Sequence, residues 1–156
     1  MEIMPGQRRA SDLELHLGYW LRRVSNHVSG AFARALQTRH TSVAEWVVLC
    51  HAQERPGITP GKLAEAPDLT RGAISKVIDK LEAKNWIARS TKPGDSRAQL
   101  LSLTRRGGRV LPQLAEIADQ NDREFFNGLE ADERATLRRL LGKQAEFHQI
   151  GDVPSE

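Results

Sequence analysis

The chain has one cysteine, Cys50, among its 156 residues. That excludes a disulfide within the chain and any zinc site built from several thiolates of one copy. Cys50 sits in the apolar run EWVVLCHA, where a thiol behaves as a small buried hydrophobe. Long apolar runs are missing as well, and no stretch approaches the roughly 18 to 20 residues that a membrane-spanning helix needs. The opening residues MEIMPGQRRASDLE have no apolar segment behind their arginines, unlike a secretory leader, so a cytoplasmic chain is expected. Common catalytic motifs are absent too: there is no glycine-rich phosphate loop, nucleophile elbow or His-x-x-x-His pair. The histidines His16, His27, His40, His51 and His148 are too scattered for a helical metal site. The expectation is a non-enzyme with no metal and no cofactor.

Hydrophobic residues make up 39% of the chain and charged residues 28%, which suits a folded domain long enough to bury a core. The net charge of +3 is unevenly spread. Residues 1–54 hold 6 Lys/Arg against 5 Asp/Glu, residues 55–106 hold 11 against 5, and residues 107–156 hold 6 against 10. The positive charge belongs to the middle third, and a basic centre between neutral and acidic arms suggests that the centre meets a polyanion.

Periodicity divides the chain. SDLE opens a helix with Ser11 as cap and Glu14 able to return to it, and an apolar stripe from Leu13 through Leu17, Trp20, Leu21, Val24, Val28 and Phe32 to Leu36 follows at helical steps. A stripe of about seven turns is long for a small globule and predicts burial against a second element or a second chain. TSVAEW repeats the start signal with Ser42 and Glu45. Thr59 before Pro60 predicts a short helix through Lys62, Leu63 and Ala64, stopped by Pro67.

The segment TRGAISKVIDKLEAKN is the most informative. Thr70 is placed to cap it, Ile74, Val77, Ile78 and Leu81 form a narrow apolar stripe, and Asn85 offers a left-handed stop. The other side presents Arg71, Gly72, Ser75, Lys76, Asp79 and Lys80. A helix entering a major groove needs small or hydrogen-bonding residues where its backbone nears base edges, here Gly72 and Ser75. It also needs cations beside them for phosphates, here Arg71, Lys76 and Lys80. After Asn85 the period drops to two: WIARS and LLSLT read as short strands joined by TKPGDSRAQ, a β-hairpin with a charged tip. Thr104 then caps a helix through Val110, Leu114 and Phe125 that Pro112 should bend, and ADERATLRRLLGKQAEFH forms a last helix.

The run LAEAPDLTRGAISKVIDKLEAKNWIARSTKPGDSRAQLLSLTRRG closely resembles the helix-turn-helix and wing of MarR-type regulators, with Asp95, Arg97, Leu103 and Thr104 matching the wing. Asn85 stands where that family usually has glycine, a mild departure because Asn tolerates the left-handed conformation. The resemblance implies a mainly α fold with a small β-hairpin: residues 1–40 a dimerisation helix, 41–104 a winged helix-turn-helix lobe, 105–156 further dimerisation helices. It also implies a homodimeric regulator, a repressor, on a palindromic double-stranded DNA operator, with no membrane partner. The recognition helix from Thr70 to about Lys84 would enter the major groove through Arg71, Gly72, Ser75 and Lys76, flanked by Lys80. The wing would reach the minor groove through Arg97, with Asp95 organising the tip and Lys92 attracting phosphate. Such regulators often bind small aromatic or phenolic anions in a crevice between the dimer helices and the lobe, lined here by Tyr19, Trp20, His27 and Trp46. The plainer reading of the two tryptophans is a core role. The alternative is a winged-helix module that binds protein, which would need an apolar exposed face on the second helix of the pair.

Overall fold

The computed structural model describes residues 12–66 and 69–150. The expected cap Ser11 and the expected stop Pro67 lie outside the described residues. A 3-10 turn over Leu13–Leu15 precedes α1 (Leu17–Gln37), α2 (Val43–Glu54), α3 (Pro60–Leu63) and α4 (Arg71–Ala83). The strands β1 (Ile87–Lys92) and β2 (Asp95–Leu103) follow, then α5 (Arg105–Phe125) and α6 (Ala131–Phe147). The described residues are mainly α with one antiparallel hairpin, as expected.

Local chemistry explains most boundaries. Ser42 Oγ accepts from the Glu45 amide at 3.1 Å while Glu45 Oε2 accepts from the Ser42 amide at 2.7 Å, so α2 starts on a reciprocal capping box. Thr59 Oγ1 accepts from the Lys62 amide, and Pro60 fills the first helical position of α3. Asn85 takes φ 57°, its amide donates to Glu82 O and the Trp86 amide donates to Leu81 O, which together close α4 in a Schellman turn.

Two expectations need correction. The long apolar stripe is not one helix, because His16 is extended (φ −100°, ψ 122°) between the 3-10 turn and α1. Trp20 Nε1 donates to Glu14 O at 2.9 Å, taking the carbonyl that a continuous helix would give to the amide four residues on. Thr70 stands at the N-cap of α4, yet its hydroxyl makes no capping bond. Its carbonyl instead accepts from the Ala73 and Ile74 amides, so the amide a cap side chain would normally satisfy is already engaged. Pro112, the residue expected to bend α5, lies inside that helix, which runs on through it with the proline on an exposed position.

The core gathers Leu36 from α1, Val48 and Leu49 from α2, Leu63, the stripe Ile74, Val77, Ile78 and Leu81 of α4, Ile87, Leu101, and Leu111 and Leu114 of α5. Each such side chain contributes about 1.5 to 3 kcal/mol by leaving water, so this cluster holds the main stabilisation among the described residues. Ile58 adds a bridge to Leu101, with the Leu101 amide donating to Ile58 O at 2.9 Å. The ends of the chain differ: Leu17 is 82% exposed, Trp20 44% and Leu141 45%, and no residue of α6 is buried.

Candidate nucleic-acid interface

Burial of Ile74, Val77, Ile78 and Leu81 rotates α4 so that Arg71, Gly72, Ser75, Lys76, Asp79 and Lys80 are exposed. The structure therefore brings together on one surface the residues read from the sequence as the groove face. A Cβ at Gly72 would meet nothing within 4 Å, so no packing against the protein requires glycine there. Among the described residues Arg71, Lys76 and Lys80 form no ion pair. Asp79, the acid on this face, is bound by Arg89 of β1, whose Nη2 reaches Asp79 Oδ1 and whose Nε lies 2.9 Å from Glu82 Oε2. The Glu82 contact is out of line for a hydrogen bond and leaves Arg89 Nε without one, so it acts through charge alone. Arg89 thus neutralises the acids of α4 and joins the wing to the helix.

The hairpin is tighter at its tip than TKPGDSRAQ suggests. Pro93 and Gly94 alone form the turn, with Gly94 at φ 82°, and β2 begins at Asp95. A proline followed by a positive-φ glycine suits a type II turn, whose twist does not match that of paired strands. The register accordingly slips: Thr91 faces Gln99 but Lys92 faces Asp95, leaving residues 96–98 of β2 without partners. Arg97 sits in this bulge, where its amide donates to Asp95 Oδ1 at 3.0 Å. The carboxylate replaces the missing ladder bond, and the bulge re-aims the strand. Lys92, Asp95 and Arg97 are all exposed.

At the base of the wing, Thr104 Oγ1 donates to Asn85 O at 2.6 Å and accepts from the Gly107 amide at 3.0 Å. Gly107 then lets α5 pass against the backbone of Trp86, where a Cβ would lie 2.0 Å from the carbonyl oxygen. Sequence reading missed Arg89, Lys84, Trp86 and Gly107, since each partner is remote in the chain and no periodicity announces it. A lone basic residue in a strand that closely follows an acidic helix end is the one available signal, for Arg89.

The four aromatic and histidine candidates do not form one cluster. Tyr19 and Trp20 stack edge to face at 5.6 Å, and Arg23 lies over both rings while donating to the Tyr19 hydroxyl at 2.8 Å. Trp46 packs edge to face on Phe32, 6.1 Å away, against the core. His27 is exposed on α1. Cys50 is half-buried, and burial, reinforced by the Glu54 carboxylate, pushes its thiol up to about 11.

The MarR family model matches residues 41–98, the segment from the start of α2 to the wing tip. The multiple antibiotic resistance protein MarR of Escherichia coli strain K12 is 34% identical over 103 residues, covering 65% of this chain and 72% of that protein. A crystal structure of a mutant E. coli MarR complexed with operator DNA is similar in fold, with TM-score 0.73 and 28% identity over 87% of this chain and 98% of that one. The Bordetella bronchiseptica regulator BpsR, studied for regulation of its DNA binding by 6-hydroxynicotinic acid, aligns with TM-score 0.74 and 26% identity over 90% of this chain and 98% of that one. No helix among the described residues is long and apolar enough to cross a membrane. With helix order, wing and family match agreeing, the chain belongs to the MarR family of winged-helix transcriptional regulators.

Proposed function

We propose that this protein is a homodimeric, cytoplasmic repressor that binds a palindromic double-stranded operator. The observation that carries the reading is the exposed face of α4, where Arg71, Gly72, Ser75, Lys76 and Lys80 lie together and, among the described residues, form no ion pair, while the acid among them is bound by Arg89. In this reading α4 enters the major groove through Arg71, Gly72, Ser75 and Lys76, with Thr70, Lys80 and Lys92 contributing to phosphate contact and Arg97 entering the minor groove. Asp95 holds the Arg97 backbone in place. A protein-binding winged helix would need an apolar α4 surface, and this one is polar. That a mutant MarR of E. coli, similar in fold, is complexed with operator DNA supports DNA as the partner.

Residues 41–104 form the DNA-binding lobe in this proposal, and residues 1–40 and 105–156 the dimer region. The exposed apolar side chains support that division, among them Leu17, Leu21 and Val24 of α1 and Leu140, Leu141 and Phe147 of α6. Such a face is stable when a second copy covers it, and a lasting interface removes at least about 1,000 Å² from water. Two copies would set their recognition helices roughly 34 Å apart, one turn of DNA. A small aromatic or phenolic anion near Tyr19, Trp20, His27 or Trp46 would release the operator by favouring a different spacing of the lobes.

The test is an electrophoretic shift with an operator selected by the wild-type protein from random DNA. Arg97→Ala should weaken binding by about tenfold or more with an unchanged dimer and melting temperature. Raising salt should lower affinity with a logarithmic slope of about −0.9 per phosphate contact, and a flat response would reject the DNA reading.

A further inference from the structure

Lys84 lies outside the groove face and is the C-cap of α4. Its Nζ is 2.7 Å from Glu45 Oε1 on α2 and donates to His40 O at 2.6 Å, at the corner between α1 and α2. It also lies 4.6 Å from the centre of the Trp86 ring. The Glu45 side chain is only 4% exposed, and its other oxygen accepts from the Ser42 amide in the capping box. His40 is held at φ 50° at that corner. One ammonium thus joins the end of α1, the start of α2 and the end of α4.

Two of its three donors are engaged by protein oxygens, and it offsets a carboxylate that would be costly to leave buried alone. Its charge also suits the C-terminal end of a helix. The mechanical consequence follows from length. Arg71–Ala83 spans about 20 Å at 1.5 Å per residue, so a tilt of about 5° at the Lys84 end moves the Arg71 end by nearly 2 Å. Groove hydrogen bonds tolerate far less.

We infer that Lys84 is a positioning residue for DNA recognition: paired with Glu45 and His40 O, it sets the angle of α4 against the α1–α2 corner, so the orientation of the recognition helix follows α1. The inference rests on the DNA-binding reading above. It separates Lys84 from a phosphate-contacting lysine, because a positioning residue acts on sequence discrimination and a phosphate contact acts on all DNA alike.

The experiment measures fluorescence anisotropy of the full-length protein with a selected operator duplex and a scrambled duplex of equal length. Wild type, Lys84→Met, Glu45→Gln and the double variant are compared, each with its melting temperature. The double variant carries no unpaired buried charge and so keeps the test available where Lys84→Met folds poorly. The expected result is an operator-to-scrambled affinity ratio lowered about tenfold in Lys84→Met, with scrambled binding unchanged within about twofold. The double variant should lose no more than the single variants, as partners in one contact do. An equal fall on both duplexes would overturn the inference in favour of a phosphate contact, and a lower melting temperature with an unchanged ratio would overturn it in favour of a structural role. If the wild type selects no sequence at all, the DNA-binding reading itself fails, which is a separate result.

Discussion

Replacing Gly107 with alanine adds one methyl group where, of the described glycines, a Cβ would come closest to another residue. The new Cβ would lie 2.0 Å from Trp86 O, 2.9 Å from its carbonyl carbon and 3.2 Å from its Cα. Relief requires a shift of more than about 1 Å, since non-bonded carbon prefers contacts of about 3.5 Å or longer. Trp86 O cannot yield freely, because it accepts from the Thr104 amide at 3.0 Å beside the Ile87–Leu103 pair that closes the hairpin. Overpacking of this kind costs about 3 kcal/mol, offset by up to about 1 kcal/mol from the better helix propensity of alanine. Gly108 is the control: it neighbours Gly107 in the same helix, and a Cβ there meets nothing within 4 Å. Gly108→Ala should therefore gain up to about 1 kcal/mol. The two variants should differ by about 3 kcal/mol, or roughly 6 to 12 °C in melting temperature at equal protein concentration. Thermal unfolding followed by circular dichroism measures this directly. Equal melting temperatures, or a Gly107→Ala variant as stable as wild type, would refute the close approach of α5 to the wing base.

Other expectations follow from the α4 surface and the core. Gly72→Leu places a side chain in open space, so the melting temperature should hold or rise while operator affinity falls; retained affinity in the shift assay would remove Gly72 from the groove face. Arg89→Met should cost at most about 1 kcal/mol of stability, because its partners Asp79 and Glu82 are exposed. Yet it should weaken DNA binding by freeing two carboxylates beside the recognition face, and unchanged affinity would show that they stay clear of phosphate. Cys50, raised from 9.0 to about 11, should alkylate with iodoacetamide more slowly at pH 8 than an unfolded chain does. With a raised folded-state value, its stabilising contribution is intact below pH 9 and is lost as the pH climbs toward about 11, which equilibrium unfolding across that window would detect.

The elements themselves were legible in the sequence because their causes are local. Ser42 and Glu45, Thr59 and Pro60, Asn85, and Thr104 mark element ends through side-chain or backbone bonds to residues a few positions away. The apolar step of three and four in α4 decides which of its sides is buried, and hence that Arg71, Ser75 and Lys76 share an exposed face. The charge excess of the middle third is a property of composition alone and needs no coordinates. Where the sequence misled, competition was the reason. Trp20 took a carbonyl from the helix start, and the Thr70 backbone displaced its own hydroxyl.

Only the tertiary structure decided how these pieces are joined. The pairing of Arg89 with Asp79 spans ten positions, that of Lys84 with Glu45 spans 39, and the contact of Gly107 with Trp86 depends on how α5 leaves the wing. The bulge that carries Arg97 likewise arises only when the Pro93–Gly94 turn is forced to close two paired strands. Residue type and spacing determine what a segment can become, because helix, strand and cap obey short-range geometry. Which charge meets which, and which glycine must stay bare, depends on packing between segments far apart in the chain. That packing is where the position of α4 and the reach of the hairpin are set.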